Sequence, residues 1–176
     1  ARAGIGYGQS EFPIISATLP DDPVEIACDT VGKTLPHIEL KIVDPETGAT
    51  LRCGEVGEIC IRGPQVMKGY WQRPDETAKV FTSDGWFRTG DMGFMDAQGR
   101  FKITDRKKDM IIVSGFKVFP NELEDVVMLH PGVLEVAAIG VPDERSGEAV
   151  KIVVVKKDPS LGERELLEHC RKHLTG

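Results

Sequence analysis

The stretch Asp84–Asp109, DGWFRTGDMGFMDAQGRFKITDRKKD, decides the fold. Its middle, Asp96-Ala97-Gln98-Gly99, is turn chemistry set directly before Phe101-Lys102-Ile103, and turn residues followed by alternating apolar and polar positions predict a hairpin. Its end, Asp105-Arg106-Lys107-Lys108-Asp109, is a run of charge with no hydrophobic reason to be buried, which predicts a boundary and a hinge. The period of the sequence changes across that run.

Upstream, from about Gly32 to Thr104, the period is two. Ile38, Leu40 and Ile42 alternate with Glu39 and Lys41, and Ile59 and Ile61 alternate with Cys60 and Arg62, as in half-buried strands. Asp44-Pro45-Glu46-Thr47-Gly48 punctuates them. The expectation is a small antiparallel barrel-like unit or curled sheet. Downstream, Pro120 suits a first helical position, Asn121 and Glu122 favour its N-terminus, and Leu123, Val126 and Val127 form an apolar stripe that His130-Pro131-Gly132 ends. Val136–Val141 and Ile152–Val155 read as a pair of short strands. Ser160-Leu161-Gly162-Glu163 has the form of a capping box, and Leu166, Leu167, Cys170 and Leu174 follow at helical spacing. The fold class expected is therefore α+β, with a barrel-like β unit and then an α+β unit.

The composition is that of an ordinary globular chain: 176 residues, 40% hydrophobic and 28% charged, with a formal net charge of −6. An acidic chain lacks the Lys/Arg excess that phosphate neutralisation on DNA or RNA demands, so no nucleic-acid partner is expected. The local cluster Arg100, Lys102, Arg106, Lys107 and Lys108 reads either as a phosphate or ribose site or as a solvated strand and turn. Cys28, Cys53, Cys60 and Cys170 have no CxxC spacing, which suits reduced thiols and a cytoplasmic setting. No apolar run approaches the roughly 18 to 20 residues that span a bilayer. Peripheral contact at the inner face of the cell membrane and a homodimer stay open. His169 and His173 are four apart on one helix face, but with no third ligand they read as a solvated helix end.

Two stretches carry candidate chemistry. Gly4-Ile5-Gly6-Tyr7-Gly8-Gln9-Ser10-Glu11 combines glycines that let backbone approach a ligand, an aromatic face for a base, a hydroxyl, and a carboxylate for a hard cation bridging phosphates. A ligand-free loop has the same composition. Asp91, beside Gly90, reads as an acceptor for two vicinal ribose hydroxyls or as a turn residue capping its own backbone.

Taken together the segments resemble the adenylate-forming superfamily of acyl-CoA synthetases, peptide-synthetase adenylation domains and luciferases. Tyr7-Gly8-Gln9-Ser10-Glu11 is similar to its aromatic-Gly-x-Thr-Glu element, with Ser10 where Thr is usual. Asp84–Lys108 is similar to the extended fatty acyl-CoA synthetase signature. Ser114–Glu124 resembles the acyl-CoA ligase version of the loop and helix beyond the hinge rather than the peptide-synthetase version. Val154–Leu161 is similar to bacterial long-chain fatty acid:CoA ligases.

The resemblance implies ATP, giving AMP and pyrophosphate, Mg²⁺ and coenzyme A, with a fatty acid as co-substrate. It implies that Tyr7 stacks on adenine, Gly8 and Ser10 border the phosphates, Glu11 helps bind Mg²⁺, Asp91 grips the ribose and Arg106 supports it. Glu11 and Lys108 are the catalytic positions it implies, Lys108 at the hinge, and Gly115 lines the pantetheine passage. Residues 1–105 would then be the end of the large N-terminal domain and 106–176 an incomplete C-terminal lid. A Gly/Ser/Thr-rich phosphate loop is expected upstream of Ala1 and a substrate-contacting lysine beyond Gly176, so the 176 residues alone are expected to lack ligase activity. Alternatives are a medium-chain or aryl acid:CoA ligase, or a noncatalytic adenosine-binding module.

Overall fold

The computed structural model describes residues 4–174. It divides into two compact units, the first ending at Lys107 and the second beginning at Lys108. The first unit opens with a hairpin, β1 (Gly6–Gln9) and β2 (Phe12–Ala17), which short β3 (Lys33–Thr34) extends into a three-stranded antiparallel sheet. A short helix, α1 (Val24–Asp29), lies between β2 and β3.

The larger sheet has strand order β4 (Glu39–Val43), β5 (Gly57–Arg62), β6 (Phe87–Met95), β7 (Phe101–Arg106), and every neighbouring pair is antiparallel. The Asp96–Gly99 turn joins β6 to β7 as expected: Asp96 Oδ1 accepts from the amides of Gln98 and Arg100, and its Oδ2 pairs with Arg100 at 2.7 Å. One bridge, Lys33 with Arg100, links the two sheets. They do not close on themselves, so the barrel-like expectation gives way to two open sheets curled about one core. That core is Phe12, Ile15, Ile42, Ile59, Ile61, Phe87 and Phe101, with Tyr7 and Ile38 at its edge.

Two further expectations are revised here. Strand β5 is buried on both faces and not half-buried: Ile59 and Ile61 enter the core, while on the other face Cys60 is fully covered and Glu58, 2% exposed, lies under Arg88 and Lys107. Between β5 and β6 lies α2 (Pro74–Val80), which the period-two reading passed over although Pro74, Asp75 and Glu76 begin it and Lys79 ends it.

The second unit is an antiparallel sheet of order β10 (Val133–Asp143), β11 (Gly147–Lys156), β8 (Ile111–Val113), β9 (Phe116–Val118), with α3 (Pro120–Met128) and α4 (Glu163–His173). Pro120 opens α3 as the sequence suggests, and β10 and β11 pair over their whole length. Val127, Val133 and Leu161 form the buried centre, with Val136, Ile152, Leu166 and Cys170 packed on them. The capping box does not form. Ser160 Oγ instead donates to Asp158 Oδ1 at 2.8 Å, and α4 starts from Gly162 with no side-chain cap. Asp158 already holds the hydroxyl in the preceding turn.

Candidate functional site

Strand β6 is where the first unit departs from regular geometry. Cys60 pairs with Arg88 but Glu58 pairs with Met92, so β6 carries two extra residues across Thr89-Gly90-Asp91. Gly90 takes φ +74°, a left-handed conformation that a β-carbon would strain. A bulge of this kind re-aims side chains. Thr89 stabilises it: its Oγ1 donates to the Ile59 carbonyl at 2.9 Å and accepts from the Asp91 amide at 3.1 Å. Asp91 thus belongs to a bulged strand, not to a free turn.

The bulge turns Asp91 toward β1. Its Oδ2 accepts from the Tyr7 hydroxyl at 2.6 Å and from Gln9 Nε2 at 2.6 Å. Its Oδ1 faces the guanidinium of Arg106, with Nε 3.9 Å away. Arg106 is there because β7 pairs it opposite Asp91. The carboxylate is 7% exposed, so three polar groups meet at the edge of the core. Burial, followed by the hydrogen bond and the charge of Asp91, pushes the Tyr7 phenol well above its ordinary range. Tyr7 therefore stays a donor to Asp91.

Tyr7 itself is 6% exposed, its ring packed edge-on against Phe12 and Phe101 at centroid distances of 5.4 and 6.0 Å. Its hydroxyl is the atom that reaches Asp91. Gly8 also has a reason inside the fold. A β-carbon there would stand 1.6 Å from the Pro13 carbonyl oxygen, so the glycine lets β1 and β2 approach. Ser10 and Glu11 form the turn that follows. Ser10 is exposed, and Glu11 Oε1 accepts from the Tyr70 hydroxyl at 2.8 Å.

A recess of about 200 Å³ opens beside this turn, bordered by Gln9, Glu11, Glu58, Tyr70, Arg88 and Lys107. Its back wall holds a group that sequence reasoning missed. Glu58 Oε2 is met by Arg88 and by Lys107, each at 2.9 Å, and both cations also reach the Pro45 carbonyl. The Lys107 amide donates to the Gly90 carbonyl at 2.8 Å, tying the same residue to the bulge. These contacts keep Arg106 and Lys107 in the first unit, so the division falls two residues beyond Asp105. Only the long separation of Glu58 from its partners hid them; an acidic residue inside an apolar strand was the available signal.

Lys108 is the first residue of the second unit. Gly115 sits with Ser114 at the tip of the β8–β9 hairpin, at φ +84° and +51°, and nothing stands within 4 Å of where its β-carbon would be. Two successive positive φ values make the mirror-image turn that matches strand twist, which accounts for glycine at that tip. Among the described residues no three His, Cys, Asp or Glu side chains gather as a metal group. His169 and His173 each bond a backbone carbonyl, of Val126 and of His169, at 2.9 Å. The four cysteines are free.

Two family models match, for the AMP-binding enzymes over residues 1–71 and for the AMP-binding enzyme C-terminal domain over residues 122–176. A long-chain-fatty-acid–CoA ligase of Escherichia coli O157:H7 is 54% identical over 171 residues, covering 97% of this chain and 30% of that protein. The crystal structure of ATP-bound MatB from Rhodopseudomonas palustris superposes with a TM-score of 0.89 at 38% identity, over 98% of this chain and 34% of that one. The o-succinylbenzoate CoA synthetase of Bacillus subtilis, in complex with the acyl-adenylate intermediate, gives 0.84 at 32% identity, over 98% and 35%. The chain belongs to the AMP-binding, adenylate-forming enzyme family. It spans about a third of the length of the relatives it matches.

Proposed function

We propose that the full-length protein carrying this chain is a long-chain fatty acid:CoA ligase, and that the chain supplies its adenosine-binding edge. One observation carries the reading: a nearly buried carboxylate, Asp91, held on one oxygen by two donors and faced on the other by Arg106, in a chain of the AMP-binding family. A carboxylate oxygen so presented is an acceptor for vicinal hydroxyls. The preference for a long-chain acid rests on the relative that is 54% identical.

In the reaction inferred, a carboxylate oxygen of the acid attacks the α-phosphorus of ATP and pyrophosphate leaves. The thiol of CoA then attacks the acyl carbonyl carbon, its proton is lost, and AMP leaves with the electron pair of the broken acyl–oxygen bond. Asp91 accepts from the ribose hydroxyls and Arg106 flanks them. Ser10 offers its hydroxyl to the phosphate region. Glu11 would hold Mg²⁺ through its carboxylate, to which Tyr70 donates its hydroxyl. Mg²⁺ bound there would neutralise charge on the phosphates as they separate. Lys108 is assigned the hinge, and Gly115 an opening for pantetheine.

The test is turnover by the full-length protein with ATP, CoA and a series of acids, following AMP and acyl-CoA together. Equal amounts of both, with the highest kcat/KM for long-chain acids, are expected, and the 176-residue chain alone should form no acyl-CoA. A preference for medium-chain or aryl acids would favour that alternative instead. AMP binding with no turnover of any acid would overturn the ligase reading.

A further inference from the structure

The Gln9 side chain has an orientation fixed by chemistry. Its Nε2 lies 2.6 Å from Asp91 Oδ2, 3.3 Å from the Thr89 carbonyl oxygen and 3.3 Å from the Tyr7 hydroxyl. A carboxylate and a backbone carbonyl only accept, so the NH₂ end of the amide must face them. Its two protons have those two acceptors, one on the side chain of the bulge and one on its backbone.

Tyr7 and Gln9 are two apart on β1, across an irregularity in its pairing with β2, and both side chains reach Asp91. Both donors meet on one atom, Asp91 Oδ2. A carboxylate held by a single donor can swing about that bond; two donors arriving from different points on β1 fix its plane. Oδ1 is then turned toward Arg106 and away from β1. The second Gln9 contact, to Thr89, ties the amide to the residue that holds the bulge together.

Resting on the adenosine reading above, we propose that Gln9 is a positioning residue that holds the Asp91 carboxylate so that Oδ1 meets the two ribose hydroxyls. It works through Asp91 and need not touch the nucleotide. Glutamate at this position has nearly the same shape but would set an acceptor against a carboxylate and a carbonyl, and methionine keeps the length without a strong donor.

The experiment titrates the full-length protein, Gln9→Glu and Gln9→Met with AMP and with 2′,3′-dideoxy-AMP, which lacks both hydroxyls. The wild type is expected to prefer AMP. Both variants are expected to lose affinity for AMP by about tenfold or more, the worth of a charge-assisted hydrogen bond, while affinity for the dideoxy nucleotide stays where it was. In turnover the KM for ATP should rise and kcat at saturation should hold. An AMP preference preserved in both variants, or an equal loss of both nucleotides, would overturn the role of Gln9. A wild type that binds both probes equally would instead overturn the ribose reading of Asp91, and this inference with it.

Discussion

Asp91 and Glu58 lie close together in the sheet, yet only the first announces itself in the sequence. Asp91 stands in a glycine-rich stretch where a carboxylate must be explained. Glu58 looks like the outward member of an alternating strand, because periodicity assigns a face without telling whether something distant will cover it. Arg88 and Lys107 cover it, from 30 and 49 residues away along the chain. The same burial sets the chemistry of its neighbour Cys60. Burial, and then the Glu58 carboxylate, push that thiol from an ordinary value of 9.0 up to about 11, against a smaller opposing pull from Arg88, Lys41 and Lys107. The folded chain keeps the proton to higher pH than the unfolded chain, so this stabilisation is complete below pH 9.0 and is lost as pH rises through about 11. Urea unfolding at pH 8 to 11 should show the wild type losing about 2–3 kcal/mol more than Cys60→Ala over that range. Parallel profiles for the two proteins would refute it.

Elements were legible in proportion to their length and regularity. Strands β4, β5 and β7 and helix α3 follow from period and turn chemistry, whereas the first half of β6 reads as turn formers. Helices α1 and α2 have six and seven residues, less than the two full turns over which an apolar stripe can repeat, so only their end residues could have marked them. The opening hairpin carries a constraint of another kind. Its glycines read as freedom to approach a ligand, and Gly8 has a second requirement in the approach of its own partner strand. That distinction is testable within one segment. Gly8→Ala drives a methyl group into the Pro13 carbonyl and must part β1 from β2, whereas a β-carbon at Gly4 has only Thr18 Oγ1 at 4.0 Å. Calorimetric melting should show Gly8→Ala destabilised by about 3 kcal/mol, the upper part of the usual range for overpacking, because backbone blocks it. Gly4→Ala should melt like the wild type. Similar melting of both variants would mean that β1 is not held to β2 as described.

For the molecule as a whole, the two compact units divide within the charged run Asp105–Asp109, although Asp105 itself is buried. The curvature of the first unit was not legible in the sequence. Alternation specifies that strands pair, but closure depends on how many strands meet and at what stagger, and neither has a local signature. Here the chain stops at two open sheets joined by one bridge. The position of the division has a physical cause that bears on the proposed mechanism. Lys107 is fastened by its amide to Gly90 and by its ammonium to Glu58 and Pro45, whereas Lys108 begins the second unit. Any rotation between the units would have to be taken up from Lys108 onward, with Arg106 kept opposite Asp91. Proline at 108 fixes its own φ and drives Lys107 toward extended backbone, so it restricts that pivot. In the full-length protein, Lys108→Pro is expected to slow transfer of the acyl group to CoA far more than ATP–pyrophosphate exchange. Equal slowing of both steps alongside a lower melting temperature would assign Lys108 to holding the fold and not to motion between half-reactions.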